Sequence, residues 1–501
     1  METELKLEMD GSVDQVRHRL AIDYGSPVGD LRLVSIYFDT ADKRLWKAGV
    51  TLRVRQEGAR RIQTIKVESA AAAGLFVRAE LESEVSGDQP ELDSSMRALI
   101  AKMIGASNCD LPLEVQFTTD VDRRLWRVDR AGAELELVSD YGAIRAHGRS
   151  VRIHEIEIEL RTGPLRTLFD LAAGIGETSP LRIGVQSKAE RGYTLDEQQR
   201  GEAVKAESIA LTEDFSVQAA FQAICHTCIR HYRLNETRLL SEPESETLHQ
   251  CRVALRRLRS ALDLFKPLLS DPESRALDGR LKRAARMFGD GRNIDVLTGL
   301  IDDASVLARL NTHRKQIYDA LVADLRSSTM RELMLDLTAW TSAGTWLSDP
   351  ATEALRREAI RPFAVRRLRR CRRRLRRRGA HLAHLDASGR HAVRIAAKKL
   401  RYSAEFFSGL FPGPVASERL EAFMGAVERL QTHLGRLTDH ATGSALLERF
   451  DLTDAAHGGR PALHKRRSIK SAARAYKEVF DLKPFWAGAH PAVRTPVARI
   501  P

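Results

Sequence analysis

Glu2-Thr3-Glu4-Leu5-Lys6-Leu7-Glu8 opens the chain with charged groups at the even positions and Leu5 and Leu7 at odd ones. A period of two is a strand, with alternate side chains on opposite faces. The same alternation returns in Leu52-Arg53-Val54-Arg55, in Glu134-Leu135-Glu136-Leu137 and in Glu155-Ile156-Glu157-Ile158-Glu159-Leu160. A half-exposed sheet with one wetted face would read this way. The charged faces here are sorted by sign, however, into glutamate strands and arginine strands, whereas solvated faces usually mix the two. Sorted charge predicts a lined interior. The spacing of two also puts Glu2, Glu4 and Lys6 on one face within about 14 Å. Two carboxylates beside an ammonium can hold a divalent cation and an anionic oxygen together.

The strand-like pattern runs to about residue 195, with helices expected near 12–23 and 164–174. From about 211 the apolar period changes to 3.6, predicting helices near 213–233, 244–269, 273–289, 292–310, 313–326, 329–342, 350–378, 388–409, 416–433 and 439–450. At 501 residues the chain exceeds one ordinary core. Charge divides it at the same place. Residues 1–200 carry 28 Lys+Arg against 33 Asp+Glu, and the remainder 52 against 34, so the halves are net −5 and +18. A cationic half of that size implies a polyanionic partner: nucleic acid, an anionic membrane surface or inorganic polyphosphate. The expected organisation is 1–196, a linker over 197–210, a helical domain over 211–488 and a disordered tail over 489–501.

Five cysteines include one close pair, Cys225 and Cys228 in Cys-His-Thr-Cys. No second pair completes a zinc site, so buried helical thiols are expected. The charged N-terminus lacks the apolar core of a signal peptide and no stretch of about 18 apolar residues occurs, which predicts a cytoplasmic protein. No Gly-x-x-x-x-Gly-Lys-Ser/Thr loop is present, leaving the strand region as the catalytic candidate.

After the first strand come, in order, Tyr37-Phe38-Asp39-Thr40, Arg53 and Arg55, Thr64-Ile65-Lys66, Arg78-Ala79-Glu80, Arg123-Arg124, Glu134-Leu135-Glu136, Asp140-Tyr141-Gly142, Glu155 to Glu159, and Ser187-Lys188-Ala189-Glu190-Arg191. This ordered set resembles the CYTH family, the triphosphate tunnel metalloenzymes, over nearly all of residues 1–193. The resemblance implies a closed antiparallel barrel of about eight strands whose interior binds a triphosphate with Mg²⁺ or Mn²⁺. It further implies that Lys6, Arg53, Arg55, Lys66, Arg78, Arg123 and Lys188 cradle phosphates and that Glu2, Glu4, Glu136, Glu157 and Glu159 hold metal, with Glu2, Glu4 and Lys6 at the catalytic centre. Asp140 and Glu80 could instead salt-bridge to neighbouring arginines.

In the second half, His249, Arg252, Arg256 and Arg259 share one helix face by their spacing of three, four and three. His391, Arg394, Lys398 and Arg401 repeat them, with Lys399 matching Arg257. Gly291-Arg292-Asn293-Ile294-Asp295 has its counterpart in Gly435-Arg436-Leu437-Thr438-Asp439, so the helical half contains an internal repeat. The doubled pattern resembles the CHAD family, whose members are similar to paired four-helix bundles that bind inorganic polyphosphate. By that resemblance all ten of these cationic and imidazole residues contact the polyanion. Asn293, where the family often has an acid, is expected to alter a helix contact and spare the phosphate face.

The whole chain therefore reads as a multidomain α+β protein. Its expected activity is metal-dependent hydrolysis of inorganic tripolyphosphate to pyrophosphate and phosphate, with longer polyphosphate held by the helical domain. Alternatives are a non-catalytic polyphosphate binder, a tunnel enzyme acting on thiamine triphosphate or a nucleoside triphosphate, or cyclising the latter, and a nucleic-acid binder. The run Arg366 to Arg378 fits either the solvated face of one helix or a polyanion contact; aromatics that would stack bases are not interleaved in it.

Overall fold

The computed structural model describes residues 2–67, 73–105, 111–195, 202–452 and 461–487, with side chains left aside at 438–442 and 461–466. The expected tail at 489–501, and residues 197–201 of the expected linker, lie outside the described residues. Nine strands form one sheet: β1 (Glu2–Met9), β2 (Gly29–Asp39), β3 (Val50–Glu57), β4 (Arg60–Val67), β5 (Leu75–Glu84), β6 (Glu114–Arg130), β7 (Ala133–Ala146), β8 (Arg149–Thr162) and β9 (Leu181–Ile183). Their order is β5-β4-β3-β2-β6-β7-β8-β1-β9, and an additional β5–β1 pairing closes the first eight into an antiparallel barrel. β1 makes the closure possible because two partners share one of its edges. Glu2 to Leu5 pair with β5, and Leu7 to Met9 pair with β9. Between them the Lys6 backbone donates to the Gly74 carbonyl at 2.8 Å and accepts from Gly184 N–H at 2.9 Å. These two bonds fill the gap between the β5 and β9 pairings.

The apolar sides of β1, β3 and β4 face outward, whereas Leu33, Tyr37, Phe117, Val121, Ile144 and Ile153 pack against Ala189 and Tyr193 at one end of the barrel. Leu5, Leu7 and Met9 pack under α1 (Val13–Tyr24) and α4 (Arg166–Thr178), through Val16, Leu20, Leu168, Leu171 and Ile175. Leu52, Val54 and Ile65 pack under α2 (Arg44–Lys47) and α3 (Ser94–Ile104), through Leu45, Met96 and Ile100. With helices covering the outside, the charged faces are turned into the barrel. The expected inversion of an ordinary small barrel, polar inside and apolar outside, is what the sorted charges indicated.

A short helix, α5 (Lys188–Tyr193), leads to the helical domain: α6 (Val217–Ser241), α7 (Ser245–Leu264), α8 (Pro272–Thr298), α9 (Ala304–Arg326), α10 (Ser328–Ala343), α11 (Glu353–Arg357), α12 (Ile360–Gly379), α13 (Ala387–Phe407), α14 (Pro414–Arg449) and α15 (Pro461–Asp481). α7 and α13 begin at 245 and 387, the 142-residue offset of the repeat, and pack on each other. One core runs across both halves, from Phe221, Phe265 and Trp340 to Phe406, Phe407 and Phe423.

Several helices differ from expectation. The predicted break between 289 and 292 falls inside α8, and that between 433 and 439 inside α14. A Cβ on Gly289 would meet the Arg252 guanidinium at 2.9 Å and one on Gly291 would meet Leu248 at 2.5 Å, so these glycines allow α8 to lie close against α7. Conversely 350–378, predicted as one helix, breaks before Ile360, and α15 was not anticipated. Cys225 and Cys228 are buried thiols on α6, where burial pushes them above their ordinary range. The polar stretch from 202 is docked: the backbone of Val204 exchanges hydrogen bonds with the Asn235 side chain at 3.0 Å.

Candidate functional site

The barrel interior is a cavity of about 540 Å³. Glu2, Glu4 and Lys6 enter it from β1, Arg53 and Arg55 from β3, Lys66 from β4, Arg78 and Glu80 from β5, Arg123 from β6, Glu136 from β7, Glu157 and Glu159 from β8, and Lys188 from α5. Every residue expected to cradle phosphate or hold metal in the tunnel therefore lines one space. Two of those placements are set by local structure. Ser187 caps α5, its hydroxyl accepting from Glu190 N–H at 3.1 Å, which turns Lys188 inward at the first helical position. In β1 the register sets Glu4 opposite Glu159 and Lys6 opposite Glu157.

The cavity divides into three electrostatic zones. At one end Asp140, Glu155 and Glu157 cluster, with one oxygen from each lying within 4.8 Å of the others. Three cations already meet them. Lys6 contacts Glu155 at 3.1 Å and also bonds Glu157; Lys188 reaches Asp140 at 2.7 Å and Glu157 at 2.9 Å and also bonds Glu155; Arg123 forks onto Asp140 at 2.8 and 2.6 Å and reaches Glu157 at 2.9 Å. Burial opposes ionisation of Glu157, yet Lys188, Lys6 and Arg123 together hold its carboxyl well below the usual range. Asp140, fully buried, is held at about 2 by Arg123 and Lys188 against the same burial. The reserved reading of Asp140 as an ion-pair partner is the one its geometry supports.

The second zone is acidic. Glu2, Glu4, Glu136 and Glu159 converge from adjacent β1, β8 and β7. Burial and the neighbouring charges of Glu2, Glu136 and Glu4 push the Glu159 carboxyl up to about 7. Glu2 is raised by burial and by its hydrogen bond with Glu80. Cations touch this zone from its border: Arg161 at 2.9 Å from Glu136 and 2.6 Å from Glu159, Lys66 at 3.1 Å from Glu2, and Arg78 at 3.4 Å from Glu4. They leave the negative charge in excess, which is what a raised carboxyl records.

The third zone is cationic. Burial together with Arg53 and Arg123 lowers the Arg55 guanidinium to about 10. Arg53 is buried beside Tyr37, and its Nε finds no acceptor among the described residues. The shifts of Arg55 and Glu159 both record like charge crowded beyond what the nearest partners offset, Glu57 at 3.6 Å from Arg55 and Arg161 at 2.6 Å from Glu159. Sequence reasoning missed Glu155 and Arg161 as members of the site, although both share the parity of Glu157 and Glu159. Tyr37 also lines it, and its hydroxyl lies between Arg53 and Arg55, which outweigh burial and lower it.

In the helical domain α7 and α13 bring Arg252, Arg256, Arg259, His391, Arg394, Lys398 and Lys399 around a groove of about 930 Å³. His249, Arg292 and Asn293 line a smaller space of about 290 Å³ that shares Arg252, Arg256, His391, Arg394 and Lys398 with it. Burial and the neighbours Arg256, Arg394 and Arg292 lower Arg252 to about 10, the same crowding of positive charge as in the barrel. Burial and Arg292 lower His249. Two expected contacts lie elsewhere. Arg257 is buried, donating to the Glu207 carbonyl at 3.3 Å and lying over Phe406; Arg401 pairs with Glu405 at 3.5 Å and lies over Tyr402. Asn293 lines the cationic space itself, so that departure falls on the groove and not on a helix contact. Asp295, by contrast, ties α8 to α9 through Arg314 and Tyr318, each at 2.8 Å.

The two domains meet directly behind the tunnel. Arg233 of α6 donates to Glu8 at 3.1 Å and to the Ile183 carbonyl at 2.9 Å and pairs with Glu236, which accepts from Arg182 of β9 at 3.2 Å. Arg230 bonds Glu190 of α5 and the Val185 carbonyl. Glu8 and Glu190 each lie two residues from a tunnel lysine, Lys6 and Lys188.

Residues 1–193 match the CYTH domain family and residues 223–448 the CHAD domain family. An inorganic triphosphatase of Haemophilus influenzae is 30% identical over 170 residues, 34% of this chain and 47% of that protein. The chain thus spans about half the length of that curated relative. Among solved structures, the CHAD domain of the plant Ricinus communis is 26% identical with a TM-score of 0.47, covering 55% of this chain and 96% of that one. A Hippeastrum protein named as an adenylyl cyclase candidate and described as having a dominant triphosphatase activity is 19% identical with a TM-score of 0.31, covering 39% and 96%. No described helix is long and apolar enough to cross a membrane.

Proposed function

From a chain that joins a CYTH domain to a CHAD domain, we propose that the barrel hydrolyses inorganic tripolyphosphate with a divalent metal and that the α7–α13 groove holds longer polyphosphate. The observation that carries the first part is the opposite perturbation of two groups in one cavity, Glu159 up to about 7 and Arg55 down to about 10. A metal-bound triphosphate would bring further positive charge to the first and further negative charge to the second at once. The all-oxygen donor set of Glu2, Glu4, Glu136 and Glu159 fits a hard cation such as Mg²⁺ or Mn²⁺. Glu157 fits less well as a ligand than the sequence suggested, because three cations already satisfy it. The metal, when bound, neutralises phosphate oxygens and can lower the pKa of a bound water.

The rest belongs to the chain's own residues. Arg53, Arg55, Lys66 and Arg78 would spread over the equatorial oxygens, where positive charge stabilises phosphoryl transfer most. Lys6, Lys188 and Arg123, locked by Asp140, Glu155 and Glu157, would present ammonium and guanidinium groups at fixed positions, so little reorganisation accompanies the reaction. The depressed Arg252 of the helical groove supports the second part by the same reasoning.

The test compares tripolyphosphate, ATP and thiamine triphosphate as substrates with Mg²⁺ and with Mn²⁺, reading phosphate release. Preference for tripolyphosphate is expected. Preference for ATP by a wide margin, or ATP cyclisation, would reassign the substrate; turnover of none, with polyphosphate still bound, would leave a binding protein.

A further inference from the structure

α12 carries eleven arginines and no carboxylate in twenty residues. Its apolar side is used in packing: Phe363, Val365, Leu368 and Leu375 are buried in the helical core. That leaves the opposite side to be explained. On other helices several exposed cations are matched along their own helix, as in Arg19–Asp23, Arg166–Asp170, Lys282–Asp278, Lys315–Asp319 and Arg357–Glu353. On α12 two arginines near its start are matched by carboxylates outside the helix, Arg361 by Glu213 and Arg366 by Glu358 at 2.7 and 2.5 Å. Arg369, Arg370, Arg373 and Arg376 are exposed and have no carboxylate partner among the described residues. Like charges three and four residues apart repel one another and cost helix stability. A face that is merely solvated has no reason to keep that repulsion.

These arginines line a cavity of about 770 Å³, backed by Phe363, Pro484 and Trp486. Two guanidiniums at its base are fastened by backbone carbonyls, Arg367 by Asp263 at 3.2 Å and Arg372 by Phe480 and Leu482 at 3.1 and 3.3 Å. Those bonds orient the groups without neutralising them. The cavity also adjoins the α7–α13 groove. Lys266 lines the groove and Pro267 lines this cavity, while Asp263 accepts from Lys399 on the groove side at 2.8 Å and from Arg367 on this side.

We propose that the arginine face of α12 is a second polyanion site that continues the α7–α13 groove past Lys266, so that a long inorganic polyphosphate chain engages both and a short one engages the groove alone. This rests on the polyphosphate reading of the helical domain. The aromatic rings at the cavity, Phe363 and Trp486, are buried and offer no stacking surface for bases, which favours a chain of phosphates over single-stranded nucleic acid.

The experiment uses the full chain and measures binding of tripolyphosphate, long-chain polyphosphate and a single-stranded RNA across a range of salt. Three proteins are compared: the unaltered chain, an Arg369→Gln/Arg373→Gln/Arg376→Gln variant of α12, and an Arg252→Gln/Arg256→Gln variant of the groove. The α12 variant is expected to lose long-chain affinity about tenfold, three exposed ion pairs being removed, and its salt slope should fall by about 2. Its tripolyphosphate binding should be unchanged, and an unchanged circular-dichroism spectrum reports that the helical domain is intact. Unchanged long-chain binding in the α12 variant, with loss in the groove variant, would overturn this inference alone. Loss of RNA binding with polyphosphate binding intact would overturn it in favour of nucleic acid. Absence of polyphosphate binding by the unaltered chain would overturn the underlying reading as well.

Discussion

Glu159 and Arg55 define the site at the scale of single residues, because each is perturbed in the direction that a bound metal triphosphate would reverse. A metal must displace the Glu159 proton, so divalent-cation affinity should rise as pH increases towards about 7 and level off above it. Glu159→Gln should bind metal more weakly and without that dependence; calorimetric titration of Mn²⁺ at several pH values checks both, and a flat profile in the unaltered chain would contradict the assignment. The same raised carboxyl makes the metal-free fold bind a proton that the unfolded chain releases near 4.5. Its stabilising effect is therefore complete at low pH and lost as pH climbs through about 7. At the other end of the cavity, Lys188→Met would leave Asp140, Glu155 and Glu157 short of one cation. Removing one partner from such a buried group costs about 3–5 kcal/mol, readable by denaturant unfolding. Added Mg²⁺ should restore part of that loss in the variant. Much of this was legible in the sequence, since Glu2, Glu4, Lys6, Arg53 and Arg55 share parity on their strands. The pairing of Asp140 with Lys188 was not, because only barrel closure brings β7 and α5 together.

At the scale of elements, the first motif after β1 turns out to build structure. Asp39 is fully buried at the end of β2, accepting from the N–H groups of Thr40 at 2.7 Å, Leu45 at 2.9 Å and Trp46 at 2.9 Å and from the Tyr193 hydroxyl at 3.1 Å. It therefore holds α2 to the barrel and α5, which carries Lys188, to both. Asp39→Ala should cost about 2–3 kcal/mol, a lost cap plus unpaired buried donors, seen as a lower thermal midpoint. An unchanged midpoint would show that α2 and α5 are held by packing alone. Periodicity located the helices well, yet it could not say where they stop. The end expected at 289 falls where Gly289 and Gly291 bring α8 into close contact with α7, a continuity that depends on Leu248 and Arg252, some forty residues away in sequence. The offset of 142 between α7 and α13 was legible, since it needed only the two copies of the cationic pattern.

For the molecule as a whole, the charge split between the halves marks two domains but not how they touch. Arg233 and Glu8 cross the boundary, with Arg233 only 1% exposed. Arg233→Met should destabilise the chain and also lower tripolyphosphate turnover, because Glu8 sits on the strand of Glu4 and Lys6. Combined with Glu8→Gln, the losses should fall short of additive by at least about 0.5 kcal/mol; strict additivity would show the pair uncoupled. Nothing in the sequence pattern linked positions 225 residues apart, since each is an ordinary charged residue in its own element. The central claim is that the barrel interior hydrolyses a metal-bound triphosphate, and it is tested most directly by phosphate release from tripolyphosphate, with and without Mg²⁺ or Mn²⁺, by the unaltered chain and by a Glu2→Ala/Glu4→Ala variant. Metal-dependent release that disappears in the variant while the fold survives is the predicted result. Release that persists in the variant, or that needs no metal, would contradict it.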